Sequence, residues 1–242
     1  MANRTAKHAV NIHGTDPQNL IEKIIRERIY DCNYWKEECF ALNEESLLEK
    51  AAGLNFVGGT FGNQKPVPFL CLVLKMLQIQ PEKQVVLALL HNEDFKYVRV
   101  LAAFYFRLTG SSLEIYKELE PLLVDKRKIR MKMNDGSYSL SFVDELIDRL
   151  LREDRVFDII LPRLTKRIVF EESNELEERI SPLQYMLDEE VDSNISSAEE
   201  EQEEEEEKSK KSVIIEETSS DNLSIEATNA LRAKLGLKPL KM

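Results

Sequence analysis

The chain has 242 residues, of which 43% are hydrophobic and 32% charged, and its formal net charge is −11. The acidity lies at one end: residues 1–170 carry 25 basic and 23 acidic side chains, whereas residues 171–242 carry 8 and 21. The first part is long enough for one well-buried core. The second is rich in Glu and Ser and has too few apolar groups to offset the entropy of ordering. We therefore expect one folded domain followed by a disordered acidic tail.

Membrane insertion and secretion are not expected. No apolar run reaches the roughly 20 residues that a transmembrane helix needs. The first residues, MANRTAKHAVNIHGTDP, contain no apolar region of the kind found in signal peptides. Cys32, Cys39 and Cys71 are an odd number of cysteines, and Cys71 lies inside an apolar run. This usage is typical of reduced thiols in an intracellular compartment.

The first helices are marked by their capping residues. Residues 1–14 are polar and are expected to be mobile unless a partner orders them. The T-x-x-Q spacing from Thr15 to Gln18 predicts a capping box, and isoleucines at helical spacing extend the helix behind it to about Ile29. YWKEECF predicts a second, short helix. Asn43 is expected to cap a third, which Gly53 ends.

The segment from Lys65 to Gly110 is the predicted core. It contains the apolar runs PFLCLVLKMLQI, VVLALL and YVRVLAAFYF, separated by breaks at Gln80-Pro81 and at residues 91–94. Each run is apolar around its whole circumference, which is typical of a helix with protein on most sides. We expect three buried helices here. Pro66 or Pro68 is expected to start the first of them, and Pro81 stands where a helix start tolerates proline best.

One hairpin is predicted after the core. A capping box at Ser111 predicts a helix that bends or ends near Pro121. Asn134-Asp135-Gly136 is hairpin-turn chemistry, and charged and apolar residues alternate before it. This pattern predicts a small β-hairpin near residues 129–141.

The domain is expected to close with two more apolar segments. Ser141 is predicted to cap a helix over FVDELIDRLLRED, and RVFDIILPRLTKRIVF ends the domain near Phe170. The predicted fold class is all-α: a compact multi-helix domain with one small hairpin, followed by the disordered tail. The predicted organisation is a helical domain over residues 1–180, an acidic low-complexity linker over 181–222 and a short helical docking peptide over 223–242.

The motifs that carry chemistry are mostly missing. The glycine loop GGTFGNQK, residues 58–65, fits neither phosphate-binding pattern, so we interpret it as a tight turn close to the core. The cysteines and histidines have no zinc-ligand spacing. His91 is interpreted as a helix-end residue, and the carboxylates around Asp125 as surface charge. We predict no enzyme activity, no cofactor and no metal.

Two groups of basic residues stand out on this nearly neutral domain. One precedes the predicted hairpin turn and the other ends the domain. They are candidate contacts for RNA phosphates or for a partner protein. The alternative is a solvated helix edge beside the acidic tail. The residues are Lys126, Arg127, Lys128, Arg130, Lys132, Arg163, Lys166 and Arg167.

Most of the chain resembles one known family. It is similar to the N-terminal domain of the pre-mRNA-splicing factor 38 family in MANRTAKHAVNIHGTDPQNLIEKIIRERIY, YWKEECFALN, FVGGTFGNQKPVPFLCLVLKMLQIQPEK, NEDFKYVRVLAAFYFRLTG and VDELIDRLLREDRVFDIILPRL. The acidic tail fits as well, and the resemblance covers about residues 1–180. It implies a nuclear, non-enzymatic subunit of the spliceosome. By this resemblance the protein is needed for activation of the assembled complex, when the tri-snRNP rearranges.

The resemblance also implies partners. The family domain is a helical scaffold that binds a microfibrillar-associated protein homologue, through a long helix of that partner, and a small zinc-finger splicing protein. The family has no catalytic residues to carry over. A polar break within the matched pattern is a candidate protein-partner surface, comprising Asn92, Glu93, Asp94, Lys96 and Tyr97.

The C-terminal peptide resembles a second element. SIEATNALRAKLGLKPL, residues 224–240, is similar to a docking motif that binds a ubiquitin-like splicing modifier without covalent attachment. Ala227 stands where such peptides often carry Glu, so the capping box is incomplete. This loss weakens the helix by a fraction of the roughly 0.5–2 kcal/mol that a cap supplies. The resemblance implies that four apolar residues bury against the modifier and that one arginine pairs with an acidic residue: Ile225, Leu231, Leu235, Leu237 and Arg232.

Two functional hypotheses follow. The first is a protein-interaction scaffold of the spliceosome, acting in the tri-snRNP or pre-catalytic complex and required for its activation. The alternative is an RNA-binding helical module that contacts small nuclear RNA or pre-mRNA through the basic residues. The two are compatible, because a scaffold within a ribonucleoprotein can also touch RNA.

Overall fold

The structure is a computed structural model that describes residues 3–180, together with residues 229, 232–234 and 236. Met1–Glu178 form one compact unit, and Arg179–Met242 form a second. The predicted linker over residues 181–222 and most of the predicted docking peptide lie outside the described residues. The predicted boundaries between these parts therefore stay predictions.

Nine α-helices lie within residues 3–180, and the predicted helical fold class is confirmed. Short 3-10 segments at Pro17–Leu20 and Glu120–Val124 accompany them. The helices are α1 Lys23–Asp31, α2 Asn33–Glu37, α3 Glu44–Ala52, α4 Pro68–Ile79, α5 Lys83–Leu90, α6 Lys96–Thr109, α7 Ser112–Leu119, α8 Val143–Arg152 and α9 Arg167–Glu172.

The three apolar runs form α4, α5 and α6, but only α4 and α6 are buried on most sides. In α5 only Val86 and Leu90 of the eight residues are buried, so the prediction that this run is a buried helix is wrong. Ten of the twelve residues of α4 are buried, as expected for a run that is apolar on all sides. Phe69 of α4 and Phe104 of α6 meet edge to face at 5.7 Å between ring centroids, and Phe157 lies 5.5 Å and 5.7 Å from them. This aromatic contact joins the two central helices to the C-terminal end of the domain.

Several predicted caps are confirmed. Asn43 forms a reciprocal capping box with Ser46 at the start of α3, and Gly53 ends that helix. Pro68 occupies the first turn of α4. The Nδ1 atom of His91, at the C-terminus of α5, hydrogen-bonds to the Leu87 carbonyl at 2.8 Å, which agrees with the helix-end interpretation.

Other expectations about local structure are wrong. The predicted capping box at Thr15 does not form. Instead the carboxylate of Asp16 accepts from the Gln18 N–H and caps a 3-10 turn. The first α-helix, α1, begins later, at Lys23. The N-terminal segment is held rather than mobile: the Ala6 N–H donates to the Gln78 carbonyl at 2.8 Å. Ser141 lies in a strand and does not cap α8.

The predicted hairpin is present and carries a third strand. Lys128–Lys132 (β4) pairs antiparallel with Tyr138–Phe142 (β5), with Arg130 opposite Leu140. Val57–Gly58 (β1) pairs parallel with β4 on its other edge. Two further two-residue ladders were not predicted. They join β2 Thr60–Phe61 to β3 Lys65–Pro66, and β6 Arg155–Val156 to β7 Ile159–Ile160.

The glycine loop is explained by close packing. A Cβ atom on Gly58 would lie 2.7 Å from the carbonyl oxygen of Lys132, and one on Gly59 would lie 2.9 Å from the Phe157 carbonyl carbon. The side chain of Asp158 also accepts hydrogen bonds from the N–H and the hydroxyl of Thr60, both at 2.8 Å. The interpretation as a tight turn against the core is therefore confirmed.

Two features are absent from the described residues. None of the helices there has the length and apolar character needed to cross a membrane. No group of three or more His, Cys, Asp or Glu side chains there is placed to hold a metal ion.

Candidate interaction surfaces

The structure brings two predicted surfaces together. The polar segment at residues 92–97 lies against the first basic group, on the strand β4 and the turn before it. The Nζ atom of Lys96 donates to the carbonyl of Lys128 at 2.7 Å. The hydroxyl of Tyr97 accepts from the N–H of Arg130 at 3.2 Å. Residues that are separated in sequence therefore form one continuous surface, which we call the hairpin surface.

A buried carboxylate organises one edge of this surface. Asp125, with a side chain 9% exposed, pairs with Arg99 at 2.7 Å and with Arg127 at 2.6 Å. Burial alone would raise the pKa of Asp125, but hydrogen bonds from Arg127 and Arg99 lower it to about 2. The earlier interpretation of Asp125 as surface charge is wrong, because it is a buried counterion.

Arg127 is consequently a structural residue. Besides pairing with Asp125, its guanidinium donates to the Glu93 carbonyl. A hydrogen bond with Asp125 raises the pKa of Arg127. Arg127 is among the predicted RNA contacts. Its hydrogen bonds instead hold residues 92–94 against the start of β4, so its side chain presents little free charge to a ligand.

The outer face of the hairpin combines cations with apolar groups. Side chains alternate along a strand, so Lys128, Arg130 and Lys132 lie on one face while Ile129 is buried in the core. Tyr138 and Leu140 of β5 lie on the same face, opposite Lys132 and Arg130. Sequence reasoning identified the cations but missed these two, although the period of two in YSLSF was available as a signal.

The second basic group forms a separate surface. Arg167 pairs with Glu120 at 2.6 Å and also with Glu171, whereas Arg163 and Lys166 are exposed. Throughout the described residues, no hydrogen bond or ion pair links these three cations to β4 or β5. The structure therefore does not unite the two predicted basic groups into one face through direct contacts.

The cysteines lie together near α1, α2 and α4. The Sγ atoms of Cys32 and Cys71 are 3.6 Å apart and form no disulfide. A hydrogen bond with the Cys71 thiol, aided by the Trp35 N–H, outweighs the effect of burial and lowers the pKa of Cys32 to about 6. Burial raises the pKa of Cys39 to about 12. Of the three thiols, Cys32 is thus the one whose surroundings favour the thiolate form.

The C-terminal docking residues are only partly described. Asn229 and residues 232–234 are helical, and Gly236 has a left-handed backbone at φ 72°. The other predicted docking residues lie outside the described part of the chain, namely Ile225, Leu231, Leu235 and Leu237.

Family comparisons match the chain in two places. The model of the PRP38 family matches residues 10–174, and that of the HIND motif matches residues 220–241. Pre-mRNA-splicing factor 38 of Drosophila melanogaster is 59% identical over 199 residues, which cover 82% of this chain and 60% of that protein. Pre-mRNA-splicing factor 38A of Homo sapiens is 58% identical over 190 residues, covering 78% and 61%. The chain thus spans about 60% of the length of these curated relatives.

A solved structure shares the fold. One chain in the crystal structure of the Snu23-Prp38-MFAP1(217-258) complex of Chaetomium thermophilum is 42% identical to this one, with a TM-score of 0.71. The match covers 77% of the present chain and 99% of the Chaetomium chain. It therefore extends over nearly the whole of that solved chain.

Proposed function

The chain belongs to the PRP38 family, and from this membership we propose that it is a non-enzymatic spliceosome subunit that acts as a protein-interaction scaffold in pre-mRNA splicing. In this role it works in the nucleus, within the tri-snRNP or pre-catalytic complex, and is required when the assembled spliceosome is activated. The observation that carries the proposal is the match to a chain solved in complex with Snu23 and an MFAP1 segment.

The part of the hairpin surface formed by residues 92–97 supports a scaffold role. The side chains of Lys96 and Arg127 donate to main-chain carbonyls, and the Tyr97 hydroxyl accepts from a main-chain N–H. These bonds fix the surface before any partner arrives. A rigid surface loses little side-chain entropy on binding, which favours affinity. The partners that we propose are the counterparts of Snu23, as the small zinc-finger splicing protein, and of MFAP1, as the microfibrillar-associated protein homologue.

A reconstitution experiment tests the scaffold proposal. The full chain is mixed with the counterparts of Snu23 and MFAP1 residues 217–258 and analysed by size-exclusion chromatography with light scattering. We expect one ternary complex with a stoichiometry of one to one to one. Hydrogen exchange should show protection confined to part of the helical domain. Separate elution of all three proteins at micromolar concentration would contradict the proposal.

A functional assay tests the activation role. Splicing extract depleted of this protein is expected to assemble spliceosomes that stall before catalysis, and added full chain should restore splicing. If the depleted extract splices at the normal rate, the chain has no required role in activation. This assay is independent of the reconstitution, since it does not assume which proteins bind the domain.

We further propose that the C-terminal peptide docks a ubiquitin-like splicing modifier. The match of the HIND motif to residues 220–241 supports this, as does the amphipathic pattern of residues 224–240. A short helix that lays its apolar face into a groove is a recurring mode of peptide recognition. In this proposal Ile225, Leu231, Leu235 and Leu237 supply the apolar face, and Arg232 supplies charge.

Point variants in the full chain test the docking peptide. Leu235→Ala and Arg232→Asp are each expected to weaken binding of the purified modifier at least tenfold in calorimetry, without changing the melting temperature of the domain. Lys234→Ala, an exposed neighbour outside the proposed contact set, serves as the matched control. Wild-type affinity in both test variants would show that the peptide does not bind in this way.

A further inference from the structure

The outer face of the three-stranded sheet carries a row of cations. Lys128, Arg130 and Lys132 occupy alternate positions of β4, and residues two apart along a strand are about 6.6 Å apart. Within the described chain, none of the three forms an ion pair with a carboxylate. Two of the nearby carboxylates are engaged with other groups. Asp125 pairs with two arginines, and Glu145 accepts from Ser141 and from the N–H of Phe142.

Beside this row lie two exposed apolar side chains. Tyr138 is 56% exposed and Leu140 is 62% exposed, although both are on a strand whose opposite face packs against the core. The Tyr138 ring is not loose, because it meets Phe56 edge to face at 5.4 Å between centroids. A ring that is held in place and open on one side can stack on a flat ligand at little entropic cost.

Lys132 links the rings to the charges. Its Nζ atom lies 3.8 Å from the centroid of Phe61, 5.3 Å from that of Phe56 and 5.2 Å from that of Tyr138. These cation–π contacts fix the aromatic group and use part of the Lys132 charge. The cations left for a ligand on the face itself are Lys128 and Arg130, with Lys126 exposed at the end of the row.

We propose that this outer face binds single-stranded RNA. A base stacks on the open side of the Tyr138 ring and its neighbour packs over Leu140, while the phosphates run along Lys126, Lys128 and Arg130. Fixed aromatic rings beside a track of cations are how proteins bind single strands with little sequence preference. A duplex is excluded as the ligand, since its bases are stacked on one another and cannot reach the ring.

The charge pattern favours RNA over a protein partner. An acidic peptide would use the cations but has no flat group for the exposed ring, whereas an apolar helix would leave Lys128 and Arg130 desolvated without counterions. RNA satisfies both features of the face. The inference does not depend on the scaffold role, because it concerns a different ligand, and either can fail alone.

Fluorescence anisotropy of a labelled twelve-nucleotide oligouridine tests the inference on the full chain. With three cations at the phosphates, the logarithm of the association constant should fall with that of the salt concentration at a slope of about −2. Tyr138→Ala is expected to weaken binding about 5- to 100-fold through loss of stacking. Tyr138→Phe keeps the ring and should bind RNA with wild-type affinity. It would not do so if the hydroxyl, rather than the ring, were the group that matters.

Charge variants separate the face from general electrostatics. Arg130→Gln should weaken binding and reduce the salt slope by about 0.7. Arg152→Gln removes one positive charge from an exposed side chain of α8 that pairs with Asp148, and it should leave affinity within twofold. Thermal melts of all variants establish that each is folded before its affinity is compared.

Three outcomes would overturn the inference. The first is no binding at 50 mM salt with protein at about 100 µM, a limit near that of non-specific association. The second is an equal loss of RNA affinity in Arg130→Gln and Arg152→Gln, because the loss would then reflect net charge alone. The third is RNA affinity that is unchanged in Tyr138→Ala while binding of the Snu23 or MFAP1 counterpart is lost, because the face would then be a protein interface.

Discussion

At Asp125, burial and charge pairing act in opposite directions on one carboxylate. Burial penalises the charged form, and two arginines favour it more strongly, so that the net effect is a pKa of about 2. A carboxylate whose pKa is lower in the folded than in the unfolded chain stabilises the fold above its unfolded pKa. That stability is lost as the pH falls from about 4 towards 2.

We predict that Asp125→Asn lowers the free energy of unfolding by roughly 2 kcal/mol at pH 7, at about 1.4 kcal/mol per pH unit of pKa difference. The difference in the free energy of unfolding between wild type and variant should shrink to about half at pH 3, where Asp125 begins to protonate. Urea unfolding at pH 7, 4 and 3 measures it. Asp31→Asn, at a side chain 88% exposed, is the control and should show neither effect. A gap that does not change with pH would contradict the pairing.

We also predict that Cys32 is alkylated by iodoacetamide at pH 7 much faster than Cys39 or Cys71. Its pKa of about 6 makes it mostly thiolate at this pH, and the thiolate is the nucleophile. Peptide mass spectrometry gives the three rates. Their pH profile should show an inflection near 6 for Cys32, which Cys71→Ala moves upward by removing the thiol hydrogen bond. An inflection near the ordinary value of about 8.5 would refute the assignment.

At the scale of elements, α6 connects the parts of the domain. Its first turn supports the hairpin through Lys96 and Tyr97 and also supplies Arg99 to Asp125. Near its end Arg107, 3% exposed, donates to the carbonyl of Leu150 at 2.7 Å and to that of Pro162 at 2.8 Å. Leu150 is in the last turn of α8, where carbonyls have no partner within the helix.

We predict that Arg107→Met destabilises the domain by roughly 2–4 kcal/mol, since it leaves two buried carbonyls without donors. Arg107→Lys should be intermediate, because one ammonium cannot reach both. The urea midpoint gives the size of the effect, and amide hydrogen exchange should show opening at the end of α8. Arg152→Met, at a side chain 73% exposed, should change stability by less than about 0.5 kcal/mol. Equal stability of wild type and Arg107→Met would be a clear contradiction.

Elements that are determined by neighbouring residues could be predicted from the sequence, whereas contacts between distant residues could not. The apolar runs predicted α4 to α6, and Asn134-Asp135-Gly136 predicted the hairpin, because periodicity and turn chemistry act over a few residues. The parallel pairing of β1 with β4 depends on residues such as Val57 and Met131 that are distant in sequence. No local pattern indicates such a contact. The same holds for the union of residues 92–97 with β4, and for Asp125, whose burial is a tertiary property.

At the scale of the whole molecule, two matched segments are separated by an acidic stretch. The PRP38 family match ends at residue 174 and the HIND motif match begins at residue 220. The residues between them carry 17 acidic and 4 basic side chains, so their net charge of −13 accounts for the acidity of the chain, whose total is −11. In the proposed function, the scaffold and the docking peptide are therefore expected to bind their partners independently of each other.

The fragment 1–178 is therefore predicted to unfold cooperatively within about 2 °C of the full chain. A difference of 1 kcal/mol corresponds to about 2–4 °C at this size, and the removed residues are expected to contribute less than that. Differential scanning calorimetry measures both.

A shorter fragment, 1–158, sets the contrast. It lacks the buried Ile159 and Leu161 and the Pro162 carbonyl that Arg107 binds. It should melt at least 10 °C lower or fail to fold, because the truncation opens the core beside Phe157. If fragment 1–178 were destabilised as severely as 1–158, the last sixty residues would be part of the folded domain, and the separation of scaffold from docking peptide would be wrong.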